Sequence, residues 1–142
     1  MADGWDIEEL KVMIGRDFAP FIQAMHINPL EPTSDGMRFL LPENPDLVRG
    51  GNILCGQAIA SMADTIAVLT LFAHNAEQRL LTTVDMNVQF LRPLFLGDVE
   101  AQTFIQSNGK RMANVRVEFR QVKEDGLGKL AASATCTFAY IP

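Results

Sequence analysis

The segment from Cys55 to Ala73 constrains this chain more than any other. It is rich in alanine and almost continuously apolar, broken only by Ser61, Asp64, Thr65 and Thr70. At this length such a run reads as a helix over about residues 56–73, buried on nearly all sides. The stretch Ala58–Ala73 is read as too short to span a bilayer, so no membrane role is expected. Between Arg49 and Glu77 the only carboxylate is Asp64, set at mid-helix. An ionised carboxylate among apolar side chains is costly unless it is paired, hydrogen-bonded or turned toward a cavity, and aspartate is a poor helix former. Asp64 is therefore either a buried structural group that bonds across to a strand or subunit, or a general base or nucleophile lining a pocket.

The flanking chain fixes the fold class. Ile7, Leu10, Ile14 and Phe18 recur at helical spacing with Asp6 in position to cap, giving an N-terminal helix over about residues 6–19. Two short extended segments follow, Met25–Leu30 and Met37–Leu41, separated by turn chemistry at Pro32–Gly36. A loop marked by Pro42, Pro45, Gly50 and Gly51 leads into the apolar helix. Beyond it the chain alternates as strands: Thr82–Leu91, with Val84, Met86, Val88 and Phe90 on one face and Thr83 on the other, then Asp98–Ser107, Arg111–Val122 and a last strand from Leu130 to Tyr140. Strands joined mainly by hairpins around one long helix make an α+β domain with an antiparallel sheet, expected to span residues 1–142 as one unit. One helix covers only part of a sheet face, so the sheet is expected to wrap the helix and two subunits to pair edge to edge.

Charge and cysteine usage exclude several function classes. The 142 residues hold 12 Lys+Arg against 17 Asp+Glu, a net charge of −5 with no basic block, which argues against nucleic-acid binding. Cys55 and Cys136 are too few for a disulfide framework, and the start Met1–Asp6 has neither the basic nor the apolar region of a leader; both point to the cytoplasm. His26 and His74 have no carboxylate or cysteine at metal-ligand spacing, so no metal and no other cofactor is expected. A mean hydropathy of +0.09 is high for a small domain and suggests apolar surface hidden in an interface or a ligand pocket. Gly56, at the junction of loop and helix, is either an ordinary connector or a place where helix N-terminal amides meet a ligand oxygen.

Two blocks carry a resemblance. Cys55-Gly56-Gln57-Ala58-Ile59-Ala60-Ser61-Met62-Ala63-Asp64-Thr65 resembles the His-Gly-Gly…Ala-Asp-Thr segment of hotdog-fold acyl-CoA thioesterases of the phenylacetate-degradation (PaaI-like) type. Thr83–Pro93, followed by Gly97-Asp98 and by Asn108-Gly109-Lys110-Arg111, is similar to that family's strand, its Gly-Asp pattern and its next hairpin. The resemblance runs from about Arg49 to the end. It implies a hotdog fold, an antiparallel sheet wrapped around a long central helix, working as a homodimer or homotetramer on an acyl-CoA substrate. It further implies Asp64 as catalytic carboxylate, the Gly56 N–H as the donor that polarises the thioester carbonyl, and Thr83 as a hydroxyl that orients water from the subunit opposite Asp64. Three positions depart from the pattern: Cys55 stands for the histidine, Gln57 for the second glycine, and Arg49 for an upstream asparagine. These three and Asn52 are candidates for substrate contact, and Arg92, Lys110 and Arg111 fall where the family would hold coenzyme A phosphates. The leading expectation is a thioester hydrolase. The alternatives are a non-catalytic acyl-CoA or fatty-acid binder and, last, a hotdog dehydratase or hydratase, which would need a histidine near the helix.

Overall fold

Asp6 opens the first helix by a reciprocal cap: its carboxylate accepts from the Glu9 N–H at 2.9 Å, and the Glu9 side chain accepts from the Asp6 N–H at 3.2 Å. The helix so started, α1 (Ile7–Asp17), buries Leu10, Met13 and Ile14. The computed structural model describes residues 4–142; Met1, Ala2 and Asp3, on which the reading of a start without a leader partly rests, lie outside the described residues. Pro20, read as an interruption, instead begins a separate short helix, α2 (Pro20–Gln23), as suits a ring with φ preset for the first turn. That extra turn delays the first strand, so the segment expected from Met25 begins at Asn28.

The strands are β1 (Asn28–Pro32), β2 (Met37–Leu41), the short pair β3 (Val48–Arg49) and β4 (Ile53–Leu54), then β5 (Leu81–Phe90), β6 (Val99–Asn108), β7 (Met112–Lys123) and β8 (Gly126–Tyr140). Between β4 and β5 runs α3 (Gly56–His74). Six strands form one antiparallel sheet in the order β1-β2-β6-β7-β8-β5, with β3 and β4 paired apart from it. The connection from β2 to β6 leaves the sheet, carries α3 across its concave face and returns through β5 at the far edge. A sheet curled around one long helix is the hotdog arrangement that the resemblance implied.

The core forms where the sheet meets α3. Phe39, Phe119 and Phe138 are completely buried, and each contributes about 1.5–3 kcal/mol by leaving water. Thr70 of α3 and Thr103 of β6 share a buried hydrogen bond of 2.7 Å, and Thr103 also accepts from the Met37 N–H at 2.9 Å. Gly36 permits this closeness, because a Cβ there would fall 1.7 Å from the Thr103 carbonyl oxygen. At nineteen residues α3 is long and apolar enough to cross a membrane, so the length criterion does not exclude a span. The physical argument is packing: most of its surface is buried beneath the sheet.

Candidate active site

Cys55 occupies the N-cap of α3 with extended backbone, but its side chain makes no capping hydrogen bond. The Cys55 N–H goes to the Leu47 carbonyl at 2.9 Å, and its carbonyl receives the N–H groups of Ala58 and Ile59. Among the described residues no protein acceptor takes the N–H of Gly56 or Gln57. Where α1 has a full capping box, α3 presents two open donors at its positive end. The Phe90 ring of β5 lies over this spot, 3.4 Å from where a Gly56 Cβ would stand.

Two turns further along, Asp64 lies on the least buried stripe of the helix with Ala60, Ser61 and Val68, at the spacing of residues that share a helix face. It is half-buried, not enclosed as the apolar sequence around it suggests. Its Oδ1 accepts a hydrogen bond from the Thr83 hydroxyl at 2.8 Å. The neighbouring hydroxyls do not compete for the carboxylate: Ser61 donates to the Gln57 carbonyl and Thr65 to the Ser61 carbonyl. Behind this pair the buried Cys136 thiol is pushed up to about 12, foremost by burial and then by the charges of Asp64 and Asp85. It stays protonated near neutral pH and offers no nucleophile.

Strict alternation would put Thr83 on the face opposite Met86, Val88 and Phe90. The register against β8 shows otherwise: Thr83 opposes the buried Phe138, Met86 opposes Cys136, Val88 opposes Ala134 and Phe90 opposes Ala132. A bulge between Thr83 and Asp85 inserts Val84 as an extra residue and turns Thr83 to the inner face. A second correction concerns the subunit: Thr83 meets Asp64 within one chain, not across from a partner.

The departing positions cluster at the entrance to α3. Arg49 is exposed on β3 and donates to the Gly50 carbonyl, while Asn52 turns the β3–β4 hairpin with a left-handed φ of 57° and accepts from the Leu96 N–H at 2.9 Å. Cys55 is half-buried beside them and Gln57 is exposed. The basic candidates, by contrast, do not gather. Arg92 donates to the Leu130 carbonyl within β8, whereas the Arg111 carbonyl receives the Tyr140 N–H where β8 ends, about 30 Å away at 3.3 Å per residue. One chain therefore cannot close Arg92, Lys110 and Arg111 on a single phosphate. Lys110 and Arg111 sit instead with Arg79, whose guanidinium lies 3.4 Å from the centre of the Tyr140 ring. Among the described residues no group of three His, Cys, Asp or Glu side chains gathers to hold a metal.

A carboxylate tied to a hydroxyl, with open amide donors on the same helix, is equipment for acyl transfer to water. Residues 51–127 match the family model described as the thioesterase superfamily. A candidate esterase of Thermoplasma acidophilum is 27% identical over 138 residues, 97% of each chain, and one from Thermoplasma volcanium is 26% identical over 95% of this chain and 94% of its own. Among solved structures, a thioesterase of Haemophilus influenzae superposes with TM-score 0.82 at 20% identity, over 96% of this chain and 91% of that one. A phenylacetic acid degradation-related candidate thioesterase of Ralstonia eutropha gives 0.75 at 18% identity, over 92% and 98%. At these identities the solved structures speak for the fold.

Proposed function

The chain belongs to the thioesterase superfamily, and with hydrolysis of a thioester as the premise we propose that it cleaves an acyl-CoA to free acid and coenzyme A, at sites shared by two copies of the chain. The observation that carries this reading is a spacing. Gly56 and Asp64 are eight residues apart on α3, about 12 Å along the axis at 1.5 Å per residue. An oxyanion donor stands about 3 Å from its oxygen, and an attacking atom about 3–3.5 Å from the carbonyl carbon. Attack is oblique to the C=O bond, so donor, carbonyl and nucleophile form a compact group that does not stretch between the two residues of one chain.

Two copies joined along β5 remove the difficulty. β5 is an edge strand of ten residues, and its apolar Val84 and Phe90 are each 55% exposed. A long edge of this kind invites pairing with another strand. Antiparallel pairing about a two-fold axis sets the Thr83 end of one β5 beside the Phe90 end of the other, and so sets Asp64 with Thr83 against Gly56 of the partner subunit. A homodimer is then the smallest unit with a complete site, and a homotetramer would repeat it.

In this site the thioester oxygen rests on the Gly56 N–H. Thr83 donates its hydrogen bond to Asp64 and keeps lone pairs to accept from a water molecule, and the Asp64 carboxylate takes that water's other proton as its oxygen attacks the carbonyl carbon. The tetrahedral intermediate expels the thiolate, which recovers the proton from Asp64. Arg49, Asn52, Cys55 and Gln57 border the entrance and would contact the substrate near its carbonyl. The free Cys55 and Cys136 fit a reducing, cytoplasmic setting.

Release of thiol from a panel of acyl-CoA esters by the purified protein tests the reading. Turnover of one or more supports it. Tight binding without turnover across the panel would replace it with a non-catalytic acyl-CoA carrier. Thr83→Val removes the hydroxyl with little change of shape, and a hydrogen bond to a charged group is worth about 1.5–3 kcal/mol. The expected result is a kcat lower by about 10–100-fold with KM nearly unchanged, measured by steady-state thiol release.

A further inference from the structure

The inner row of β7 runs through Ala113, Val115, Val117 and Phe119, all completely buried, and the next residue in that row is Gln121. A polar side chain that closes an apolar row is costly unless its amide finds partners. The Gln121 amide makes three hydrogen bonds, all to backbone. Its Oε1 accepts from the Phe95 N–H at 2.8 Å, and its Nε2 donates to the Phe95 carbonyl at 3.1 Å and to the Asp98 carbonyl at 3.1 Å. What it grips is no part of the core: Phe95 lies in the loop between β5 and β6 and is 50% exposed.

The surroundings are shaped for this grip. β7 and β8 lose register between Arg120 and Val122, which pair with Leu130 and Leu127, so that Gln121 stands against Gly128 and Lys129 together. On the loop side Gly97 has φ 151°, a conformation open to glycine, and a Cβ there would stand 3.2 Å from the Gln121 Nε2.

The gripped loop is the mooring of the α3 N-terminus. The β3–β4 hairpin is paired apart from the main sheet, and it is tied to this loop at three points. Leu54 N–H donates to the Leu94 carbonyl at 2.8 Å, Leu96 N–H donates to the Asn52 carbonyl at 2.9 Å, and Ile53 bridges to Phe95. From Ile53 to Gly56 is three residues, at most about 10 Å of extended chain. Because α3 has no side-chain cap, the aim of its open N–H groups depends on what holds the hairpin.

We propose that Gln121 is the positioning residue of the oxyanion donor: it fixes the backbone at Phe95, the loop fixes the hairpin, and the hairpin aims the Gly56 N–H at the substrate oxygen. The proposal rests on the hydrolytic reading for what that amide does, and Gln121 itself touches no reacting atom. Donors of this kind act by being aimed before the charge develops, and a misplacement of about 1 Å caused by a distant change can cost about 10²-fold in rate.

Two variants and two readouts test it. Gln121→Met keeps the length of the side chain and removes all three hydrogen bonds. Gln121→Glu keeps the acceptor for the Phe95 N–H but sets a carboxylate oxygen against the two carbonyls. In each, kcat for thiol release is expected to fall about tenfold or more with KM nearly unchanged. A lower melting temperature with kcat unchanged would overturn the proposal, since Gln121 would then serve stability alone. A double-mutant cycle with Gly56→Pro locates the path. Once the Gly56 N–H is gone, Gln121→Met is expected to take little more from the residual rate, measured at high enzyme concentration. An equal further loss in that background would also overturn the proposal.

Amide hydrogen exchange reads the mooring without turnover. The Leu54 and Leu96 amides are expected to exchange about tenfold faster in either variant, while the Trp5 amide, bonded to the Phe72 carbonyl near the far end of α3, is unchanged. Unchanged exchange at Leu54 and Leu96 would show that Gln121 does not hold the hairpin and would overturn the proposal. Faster exchange in a protein that hydrolyses no thioester would remove the hydrolytic reading, while the placing of the α3 amides by Gln121 stands.

Discussion

Asp64→Asn is expected to lower kcat for thioester hydrolysis by about 10²–10⁴-fold, the range a positioned general base supplies, while the protein stays folded. The side chains are nearly isosteric, and an amide oxygen still accepts from the Thr83 hydroxyl that now meets Asp64 at 2.8 Å. Losing a half-buried charge from a mostly apolar helix also removes a desolvation cost, so the melting temperature should hold or rise. Thiol release and a thermal melt on the same sample check both halves. Full activity in this variant would show that Asp64 is not the catalyst. A single turnover in ¹⁸O-water adds detail: a base leaves the protein carboxylate unlabelled and sends the label to the acid, whereas a nucleophile takes label into Asp64 on hydrolysis of the acyl intermediate.

Gly56→Pro should be nearly as damaging for a different reason. Gly56 is the first residue of α3, a position where proline fits the helix and removes only an N–H that has no intrahelical partner. The preceding Cys55, at φ −69° and ψ 147°, already has the extended backbone that precedes a proline. Loss of one oxyanion donor costs about 10²–10³ in kcat, with helix content by circular dichroism unchanged. Gly56→Ala is the control: it keeps the N–H and puts a Cβ in ordinary contact with Phe90 at 3.4 Å, so it should retain far more activity than the proline variant. Equal activity in the proline variant and the wild type would remove the Gly56 amide from the mechanism.

Much of this site is legible in the sequence because its parts are local. The apolar run containing Asp64 marks both the central helix and its one exceptional residue. The absence of a Ser, Thr, Asp or Asn side chain at the N-cap, where Cys55 stands, foreshadows the open amides of Gly56 and Gln57. The parts that escape depend on register and on distance through space. Thr83 reaches Asp64 only because Val84 is an extra residue in β5, and no alternation pattern reveals a bulge. Arg92, Lys110 and Arg111 look like one basic group along the chain, yet β8 holds their neighbourhoods about 30 Å apart along its length. The Gln121 side chain accepts from the Phe95 N–H at 2.8 Å across 26 residues of sequence, a contact that no local pattern announces.

The central claim is that neither chain alone carries a complete site, and subunit mixing tests it most directly. Asp64→Asn and Gly56→Pro proteins, each inactive alone, are denatured together in equal amounts, refolded and assayed for thiol release. Shared sites predict that each mixed dimer regains one intact site, with Asp64 from one chain facing Gly56 of the other. With random pairing, activity returns to about a quarter of the wild-type rate. If the mixture stays as inactive as its components while size-exclusion chromatography shows mixed dimers, both groups act within one chain and the account is wrong.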